Sequence, residues 1–549
     1  MITTKLTKQI FESKIFIFSI FTIYFFIGIS IYKDFGISFD ENINRINGFV
    51  WLKYLFVKLG INIDLSLFVN NLPNLDNYFD KEYGIVFDLP LAFLEVILNP
   101  DNSRDIYLLK HLANFIVFFI SSICFFLLCN HIFKDQILSL IGLAALILSP
   151  RIFAESFYNP KDIIFMCFLI FAIYFNIKFL QYKNNFYIIF AALFSALMTD
   201  IKVVGIFLPF ITSFFLIFNS DNFSLKVKLY SLIKYLTAFI IFVFMFWPFL
   251  WENSLSNLII SIQKFKNFPF DIEILYLGNF IKAKFVPWHY FFVWFFITTP
   301  LIFFIIIFFG VLRNLRIFIK NLVEIEKIKK NNLWKNQDEM ISMYILFIFL
   351  LPIFLVIIFN STLYSGWRQL YFLYPPLIIL GIYFLKDLKK IGNQKVYKTA
   401  IIICIMQIFF SIHYLYKNHP HQHVYFNILS RGFIENKFAI DYWGVSNHTT
   451  LKYLLDDENF KHPIKISTAS FTDLNKTKLI LDTKYKDKFI SMEDNHSNSD
   501  FIFTNYYYNT RPIVNKKRYS IPRYFKSFYR FEIDGMIVNE LFINTKKYN

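Results

Sequence analysis

About eleven long apolar stretches occupy most of this chain, and they constrain its fold more than any other feature. A helix needs roughly 20 apolar residues to cross the ~30 Å hydrocarbon core of a bilayer. The stretches lie near residues 14–32, 107–130, 136–150, 162–181, 186–199, 203–218, 230–250, 289–312, 340–359, 370–386 and 399–416. The third and fifth are short, so we expect them to be tilted, broken or partly re-entrant. The pattern predicts an α-helical polytopic membrane protein of about 11 transmembrane helices.

The composition agrees with a lipid-facing surface and excludes a water-soluble enzyme. Of the 549 residues, 56% are hydrophobic and only 17% are charged, and phenylalanine alone accounts for 75. Soluble domains carry about 25% charged residues. The first apolar stretch is predicted to be a retained span, because an acidic loop without a small-residue cleavage site follows it.

The net charge of +17 is distributed loop by loop and forms no single basic patch. Cytoplasmic loops of membrane proteins accumulate Lys and Arg. Alternate connections are rich in these residues, near 5–14, 183, 226–234, 313–335 and 386–398. We therefore predict a cytoplasmic N-terminus, an extracytoplasmic C-terminal region and no nucleic-acid partner.

The composition changes after about residue 417, which divides the chain into a transmembrane domain, 1–416, and an extracytoplasmic α/β domain, 417–549. A helix is predicted from Ser446 through the LKYLL stretch. The runs IKISTAS, DFIFTNYYY and FEIDGMIVNELFIN alternate as strands do. Two amphipathic runs, FVWLKYLFVKL and NSLSNLIISIQKF, are predicted to lie at the membrane interface.

Charged residues at the ends of spans are the candidates for chemistry, because a charge near the bilayer centre costs about 2.5–3.5 kcal/mol. The predicted topology places them at the outer ends, within the motifs GISFDEN, SPRIFAESFYNPKD, MTDIKVVG and YSGWRQLYFLYPP. The loops YFDKEYGIVFDLPLAFLE and NSRDIYLLKHLANF lie on the same side. Pro150 and Pro160 predict a stiff loop in the second motif, and the third reads as a short loop. The candidates are Asp40, Glu41, Arg104, His111, Arg151, Glu155, Lys161, Asp162, Asp200, Lys202 and Arg368.

Each motif also has a simpler explanation. Asp40 and Glu41 are compatible with an ordinary acidic loop, and Asp162 with a helix cap. Asp200 and Lys202 are compatible with a salt bridge in a short loop. Arg368 is compatible with an arginine that snorkels to lipid headgroups. Their order along the chain and the side of the membrane that they are predicted to share favour a functional site.

In that order the motifs resemble the membrane glycosyltransferases of the GT-C fold, specifically the dolichyl-phosphate-mannose protein mannosyltransferase group (family 39) and its bacterial relatives. The acidic pair in GISFDEN resembles the acidic pair of the family's first loop, and NPKD resembles its second outer-loop acidic position. TDIKVVG, GWRQLYFLYPP and DYWGVSNHTTLKYLL resemble later family motifs. Asp200 departs from the Thr-Lys of many bacterial members, and the C-terminal domain is smaller than in some relatives.

The resemblance implies transfer of a single sugar from a polyprenyl-phosphate donor to an acceptor hydroxyl, with inversion. The acceptor would be a glycan, a lipid or a protein. Asp40 is the implied general base, with Glu41 or Asp162 orienting the acceptor or a metal. Donor phosphate would be bound by Lys161, Lys202 and Arg368, with Arg151 and Arg104 behind them. His111, Glu155 and Asp200 remain further candidates. No cofactor is predicted, although paired carboxylates permit a divalent metal.

Two other classes of protein share part of this pattern. A secondary transporter has a similar number of spans, but it is expected to show charges or helix breaks near the membrane midplane and repeat symmetry. A polymerase or ligase acting on lipid-linked glycans also presents charged outer loops. Its long loop is expected between late spans, whereas here the long loop follows the first span.

Overall fold

The computed structural model describes residues 13–219, 223–266, 272–328, 333–391, 394–508 and 516–548. Helices make up most of this structure, and a small sheet lies near the C-terminus. The helices are α1 Lys14–Ile31, α2 Glu41–Leu59, α3 Asp88–Leu98, α4 Ser103–Phe133, α5 Gln136–Ile147, α6 Pro150–Tyr158, α7 Asp162–Tyr182, α8 Asn185–Ile201, α9 Phe207–Phe218, α10 Leu225–Phe246, α11 Ser254–Lys266, α12 Tyr290–Thr298, α13 Leu301–Ile328, α14 Gln337–Ile358, α15 Tyr374–Lys390, α16 Gln394–Lys417, α17 Asn447–Leu455, α18 Leu474–Lys478 and α19 Thr483–Lys486.

Eight helices in the described residues are long and apolar enough to cross a membrane. A ninth candidate is the pair α5 and α6, which is bent by 61°. Each predicted apolar stretch contains helix, including the shorter α8 and the segment Val203–Phe218, but the stretch near 289–312 is divided between α12 and α13. The predicted helical membrane fold is confirmed, and the number of crossings stays a prediction.

The spans differ in how deeply they lie within the protein. In α7, 72% of the span is buried, and in the span Arg368–Lys390, which contains α15, 83% is buried. In α1, α10, α13 and α16 the figure is only 17–22%. The Phe-rich outer helices therefore surround two central spans, and the central spans begin with Asp162 and Arg368.

At the end of the bundle where α15 finishes, charged side chains pair near the surface. Asp338, at the start of α14, accepts from Lys386 at 2.6 Å. Asp387 accepts from Arg313 at 2.7 Å. Basic residues dominate this end, which is the end predicted to be cytoplasmic.

Strands β1 Glu273–Tyr276 and β2 Asn279–Lys282 form a separate hairpin. The C-terminal sheet contains β3 Ile464–Thr468, β4 Phe489–Ser491, β5 Phe501–Thr504, β6 Phe525–Ile533 and β7 Met536–Asn544. Its strand order is β4-β3-β5-β7-β6. Strand β3 runs parallel to β4 and β5, whereas β7 is antiparallel to its neighbours. Helix α17 begins at Asn447, one residue after the predicted start. A mixed α/β arrangement therefore follows the helical bundle, as predicted.

Two predicted loops are wrong. The stretch between Pro150 and Pro160 is mostly the buried helix α6, because Pro150 occupies its first turn, where a missing backbone N–H costs nothing. The motif MTDIKVVG is also helical, since α8 continues through Asp200 to Ile201 and a 3-10 turn follows. Because these segments are helical, successive side chains on them point in different directions.

Helices α13 and α15 pack closely at Gly310. A Cβ atom placed there would lie 2.2 Å from the carbonyl oxygen of Leu380 and 2.6 Å from the Cα of Gly381. Small residues permit such close backbone approach between membrane helices. The contact holds the central span Arg368–Lys390 against its neighbour.

We predict that Gly310→Ala destabilises the protein by about 1–3 kcal/mol, the usual cost of overpacking. Thermal unfolding of the detergent-solubilised protein measures the effect as a lower Tm. Gly432→Ala is the matched control, because nothing lies within 4 Å of a Cβ at that position. Equal Tm values for the two variants would contradict the close packing.

Candidate active site

A cavity of about 230 Å³ lies where the N-terminal ends of α2 and α7 meet the 3-10 helix Arg368–Leu373. The loop before α3, the segment after α14 and the C-terminal region complete its wall. Its polar and aromatic lining includes Phe39, Asp40, Asp80, Tyr83, Lys161, Asp162, Lys202, Tyr364, Arg368, Tyr442, Trp443, Phe471 and Tyr507. Five of the sequence candidates, Asp40, Lys161, Asp162, Lys202 and Arg368, are therefore brought together.

Arg368 lies at the centre of the charged residues. Its Nη1 atom is 3.0 Å from Asp40 Oδ2 and 2.9 Å from Asp162 Oδ2. Asp162 and Arg368 are buried, whereas 28% of the Asp40 side chain is exposed. One guanidinium thus bridges a carboxylate inside the protein and another that is open to the cavity.

Asp162 is held by three further contacts. Its Oδ1 atom pairs with the ammonium of Lys202. Asn159 donates from Nδ2 to Asp162 Oδ2 at 3.2 Å and accepts the Asp162 backbone N–H at 2.9 Å. With two cations on its carboxylate, Asp162 is bound as an anion within the protein.

Lys161 and Asp80 face the same cavity from neighbouring segments. The Lys161 ammonium lies 3.1 Å from the centre of the Tyr83 ring. Burial lowers the pKa of Lys161, and the carboxylates of Asp80 and Asp88 oppose that change. Burial likewise raises the pKa of Asp80, whereas the positive charges of Lys161 and Lys264 act to lower it.

The C-terminal region supplies much of the aromatic wall. The Trp443 ring lies over the Arg368 guanidinium, 4.4 Å from its Cζ. Phe471 stacks on Phe39, with ring centres 5.5 Å apart. Aromatic walls with a few polar groups are typical of ligand pockets. The cavity is therefore shared between the membrane helices and the C-terminal region.

Glu41 and His111 form a buried pair away from the cavity. Glu41 Oε1 is 2.8 Å from His111 Nε2, and its Oε2 accepts the backbone N–H of Ser38 at 2.6 Å. Helix geometry directs Glu41 about 100° away from Asp40, since 3.6 residues make one turn. The pair joins α2 to α4 beneath the predicted base.

Glu155 and Arg151 on α6 are also buried behind the cavity wall. Glu155 accepts from Tyr371 at 2.6 Å and from Tyr442 at 3.2 Å. Arg151 donates from Nε to the Tyr425 carbonyl at 3.0 Å. The two side chains attach α6 to neighbouring segments, and neither lines the cavity.

Arg104 and Asp200 connect other elements. Arg104 pairs with Asp482 of the C-terminal region at 3.0 Å. Asp200 accepts the backbone N–H of Val86 at 2.8 Å, and its backbone lies against Gly84. Asp200 thereby holds the loop that carries Asp80, and it lies outside the cavity.

Among the described residues, no group of three or more His, Cys, Asp or Glu side chains could hold a metal ion. The divalent metal that paired carboxylates permit has no ligand set of that size in this part of the chain. Asp40 and Asp162 instead share Arg368.

Sequence reasoning missed Asp80 and the aromatic residues of the C-terminal region. Asp80 belongs to the predicted outer loop YFDKEYG, so the sequence indicated where it lies but not that its side chain lines the cavity. The motif DYWGVSN contains both Tyr442 and Trp443. Neutral aromatic residues are hard to distinguish in a chain with 21% aromatic residues.

Comparison with known proteins supports a sugar-transfer enzyme. No curated protein matches the chain significantly. Residues 100–251 match the family model described as dolichyl-phosphate-mannose-protein mannosyltransferase. The matched segment contains Lys161, Asp162 and Lys202, whereas Asp40 and Arg368 lie outside it. The predicted resemblance is thus confirmed over residues 100–251, where this integral, multi-pass membrane protein is similar to the mannosyltransferases of that family; the match supports a glycosyltransferase of the GT-C type.

Proposed function

We propose that this protein transfers one sugar from a polyprenyl-phosphate donor to an acceptor hydroxyl, with inversion at the anomeric carbon. The observation that carries the proposal is the position of Arg368, which bridges Asp40 and Asp162 on the cavity wall. Lys161 and Lys202 line the same cavity. A carboxylate open to the cavity beside several cations is the combination that this reaction requires.

Asp40 is the proposed general base. It is the more exposed of the two carboxylates that Arg368 holds, so an acceptor hydroxyl can reach it. In the reaction the hydroxyl proton moves to Asp40, and the acceptor oxygen forms a bond to the anomeric carbon. The bond from that carbon to the phosphate oxygen breaks, and its electron pair stays on the phosphate. Attack opposite the leaving group inverts the anomeric centre.

Arg368, Lys202 and Lys161 are the proposed phosphate-binding residues. The leaving group gains one negative charge as the glycosidic bond breaks, and nearby cations stabilise that charge. The N-terminal ends of α2 and α7 add positive backbone dipoles at the same place. Asp162 takes a positioning role, because its carboxylate contacts both Lys202 and Arg368.

The cavity end of the bundle is proposed to face the outside of a bacterial inner membrane. Basic side chains collect at the opposite end, as the positive-inside rule expects of a cytoplasmic face. The donor's isoprenoid chain would then lie among the outer helices, with its phosphate at the cavity. The acceptor would be a glycan, lipid or protein on the outer side of that membrane.

The reaction is tested with the purified protein in lipid nanodiscs and a panel of radiolabelled polyprenyl-phosphate sugars. Transfer of a single sugar to an added acceptor supports the proposal. Growth of a glycan chain would identify a polymerase or ligase instead. Movement of unreacted label into proteoliposomes would identify a transporter.

We predict that Asp40→Asn folds and inserts normally but lowers kcat by about 10²–10⁴-fold, the usual contribution of a general base. Asn has a similar shape and cannot accept the proton. Single-turnover transfer of a radiolabelled sugar measures the loss.

The matched control for Asp40 is Asp387→Asn at the opposite end of the bundle. Asp387 also pairs with an arginine, Arg313, and is 30% exposed. We expect wild-type transfer from this control. An Asp40→Asn enzyme with activity within tenfold of wild type would rule out Asp40 as the base.

Arg368→Lys is predicted to raise the donor KM about tenfold or more, the equivalent of losing one charge-assisted hydrogen bond. Lysine keeps the positive charge that the two carboxylates need. It lacks the five-donor planar fork, so few donors remain for phosphate. Steady-state kinetics with varied donor concentration give the value. Arg313→Lys is the control, and an unchanged donor KM in Arg368→Lys contradicts the phosphate role.

A further inference from the structure

We propose that Trp443 donates a hydrogen bond from its indole N–H to the donor phosphate, so that the C-terminal region completes the phosphate site. This inference rests on the proposed function, because it concerns the same donor. It assigns a ligand contact to a region that the family match at residues 100–251 does not include.

Two residues that line the cavity each have a buried N–H group without a hydrogen-bond partner among the described residues. One is Nε of Arg368 and the other is Nε1 of Trp443. The side chains lie against each other, with the guanidinium carbon 4.4 Å from the Trp443 ring centre. A buried donor without a partner costs about 1–3 kcal/mol. An oxygen atom from a ligand in the cavity would remove that cost for both groups.

Location distinguishes Trp443 from other tryptophans in the protein. Trp51, Trp247, Trp294 and Trp334 also have buried indole N–H groups without a partner in the described structure. None of the four lines the cavity, whereas Trp443 does. An unpaired indole is therefore common here, and only Trp443 combines it with a cationic neighbour at the proposed site.

The backbone around Trp443 is held rigidly by Asp441. Asp441 Oδ1 accepts the backbone N–H groups of Trp443 at 3.1 Å and Gly444 at 2.8 Å. Its Oδ2 accepts the backbone N–H of Ser446 at 3.0 Å. Burial disfavours the Asp441 anion, but His423 and the bonds from Ser446 outweigh it and keep the pKa of Asp441 below its usual range.

The same turn is attached to the segment that carries the proposed base. The Trp443 carbonyl accepts the backbone N–H of Phe39 at 3.2 Å, one residue before Asp40. Trp443 thus has a fixed position relative to both Asp40 and Arg368. A preorganised donor of this kind binds a phosphate oxygen at little entropic cost.

Phosphate is the ligand group that this geometry fits best. The two orphan groups are donors only, so they require an acceptor. A guanidinium with a free edge prefers an anionic oxygen, and charge-assisted bonds to phosphate are about twice as strong as neutral ones. A phosphate oxygen near Arg368 would satisfy both donors, and its charge would fit the cations around it.

Binding of farnesyl phosphate to the full-length protein in detergent, measured by calorimetry, tests the inference. Farnesol is the matched probe, because it has the same chain without the phosphate. We expect the wild type to bind farnesyl phosphate more tightly than farnesol. Trp443→Phe keeps an aromatic ring beside Arg368 but has no N–H; it should bind farnesyl phosphate about tenfold more weakly, with farnesol binding unchanged.

Two further variants control for folding. Trp247→Phe makes the same change at a buried tryptophan outside the cavity, so it should bind both probes as the wild type does. Trp443→His restores a ring N–H and should recover part of the lost affinity. Wild-type thermal unfolding is expected for Trp443→Phe.

The outcomes separate this inference from the proposed function. If Trp443→Phe binds farnesyl phosphate as tightly as wild type while Arg368→Lys binds it weakly, the role of Trp443 is wrong and the donor site stands. If Trp443→Phe weakens both probes equally, Trp443 has only a structural role. If the wild type binds the two probes equally, the proposed donor site itself is wrong, and the inference fails with it.

Discussion

The guanidinium of Arg368 joins three parts of the membrane bundle that are distant in sequence. It opens the span Arg368–Lys390 and holds the carboxylates of Asp40 and Asp162, which lie at the starts of α2 and α7. The positive end of a helix dipole is an unfavourable place for an arginine. Breaking a buried ion pair costs about 3–5 kcal/mol, because the remaining charge has no partner. The two carboxylates offset the unfavourable dipole, and removing them would leave the buried guanidinium without a charged partner.

Charged side chains are paired differently at the two ends of the bundle. At the end rich in lysine, Asp338 and Asp387 pair with single cations near the surface. Surface pairs of this kind contribute about 0–1 kcal/mol each. At the cavity end Asp162 and Arg368 are buried, and Arg368 is shared between Asp40 and Asp162, so each side chain depends on the others. This contrast between single pairs and a connected set agrees with the proposal that the cavity end carries the function.

The sequence predicted the fold well because apolar length has a direct physical meaning in a membrane. It also predicted that Asp40, Lys161, Asp162, Lys202 and Arg368 lie at one end of the bundle, and these five side chains line one cavity. It could not predict which side chains face the cavity. Glu41 and Glu155 carry the same kind of charge as Asp40 and Asp162 and lie in the same two motifs, but they point into the protein toward His111 and Tyr371. The sequence gives the position of a charge along the chain, whereas the direction of its side chain depends on packing between helices that are far apart in the chain.

The sequence analysis also predicted a loop where the structure is helical. Pro150 and Pro160 suggested a loop, yet the residues between them are mostly helical because proline is accepted in a first turn. Trp443 escaped notice because it carries no charge, and its importance depends on a contact with Arg368 across 75 positions of sequence.

The hydrogen bond from Phe39 to Trp443 has a consequence for engineering the enzyme. The backbone at Gly36 also lies against Val445, so the first loop and the C-terminal region fit each other closely. A chimaera that exchanges the C-terminal region between relatives would separate surfaces that are matched to one another. Grafts of the C-terminal region should therefore carry residues 36–41 together with residues 441–446, as one transplantable unit.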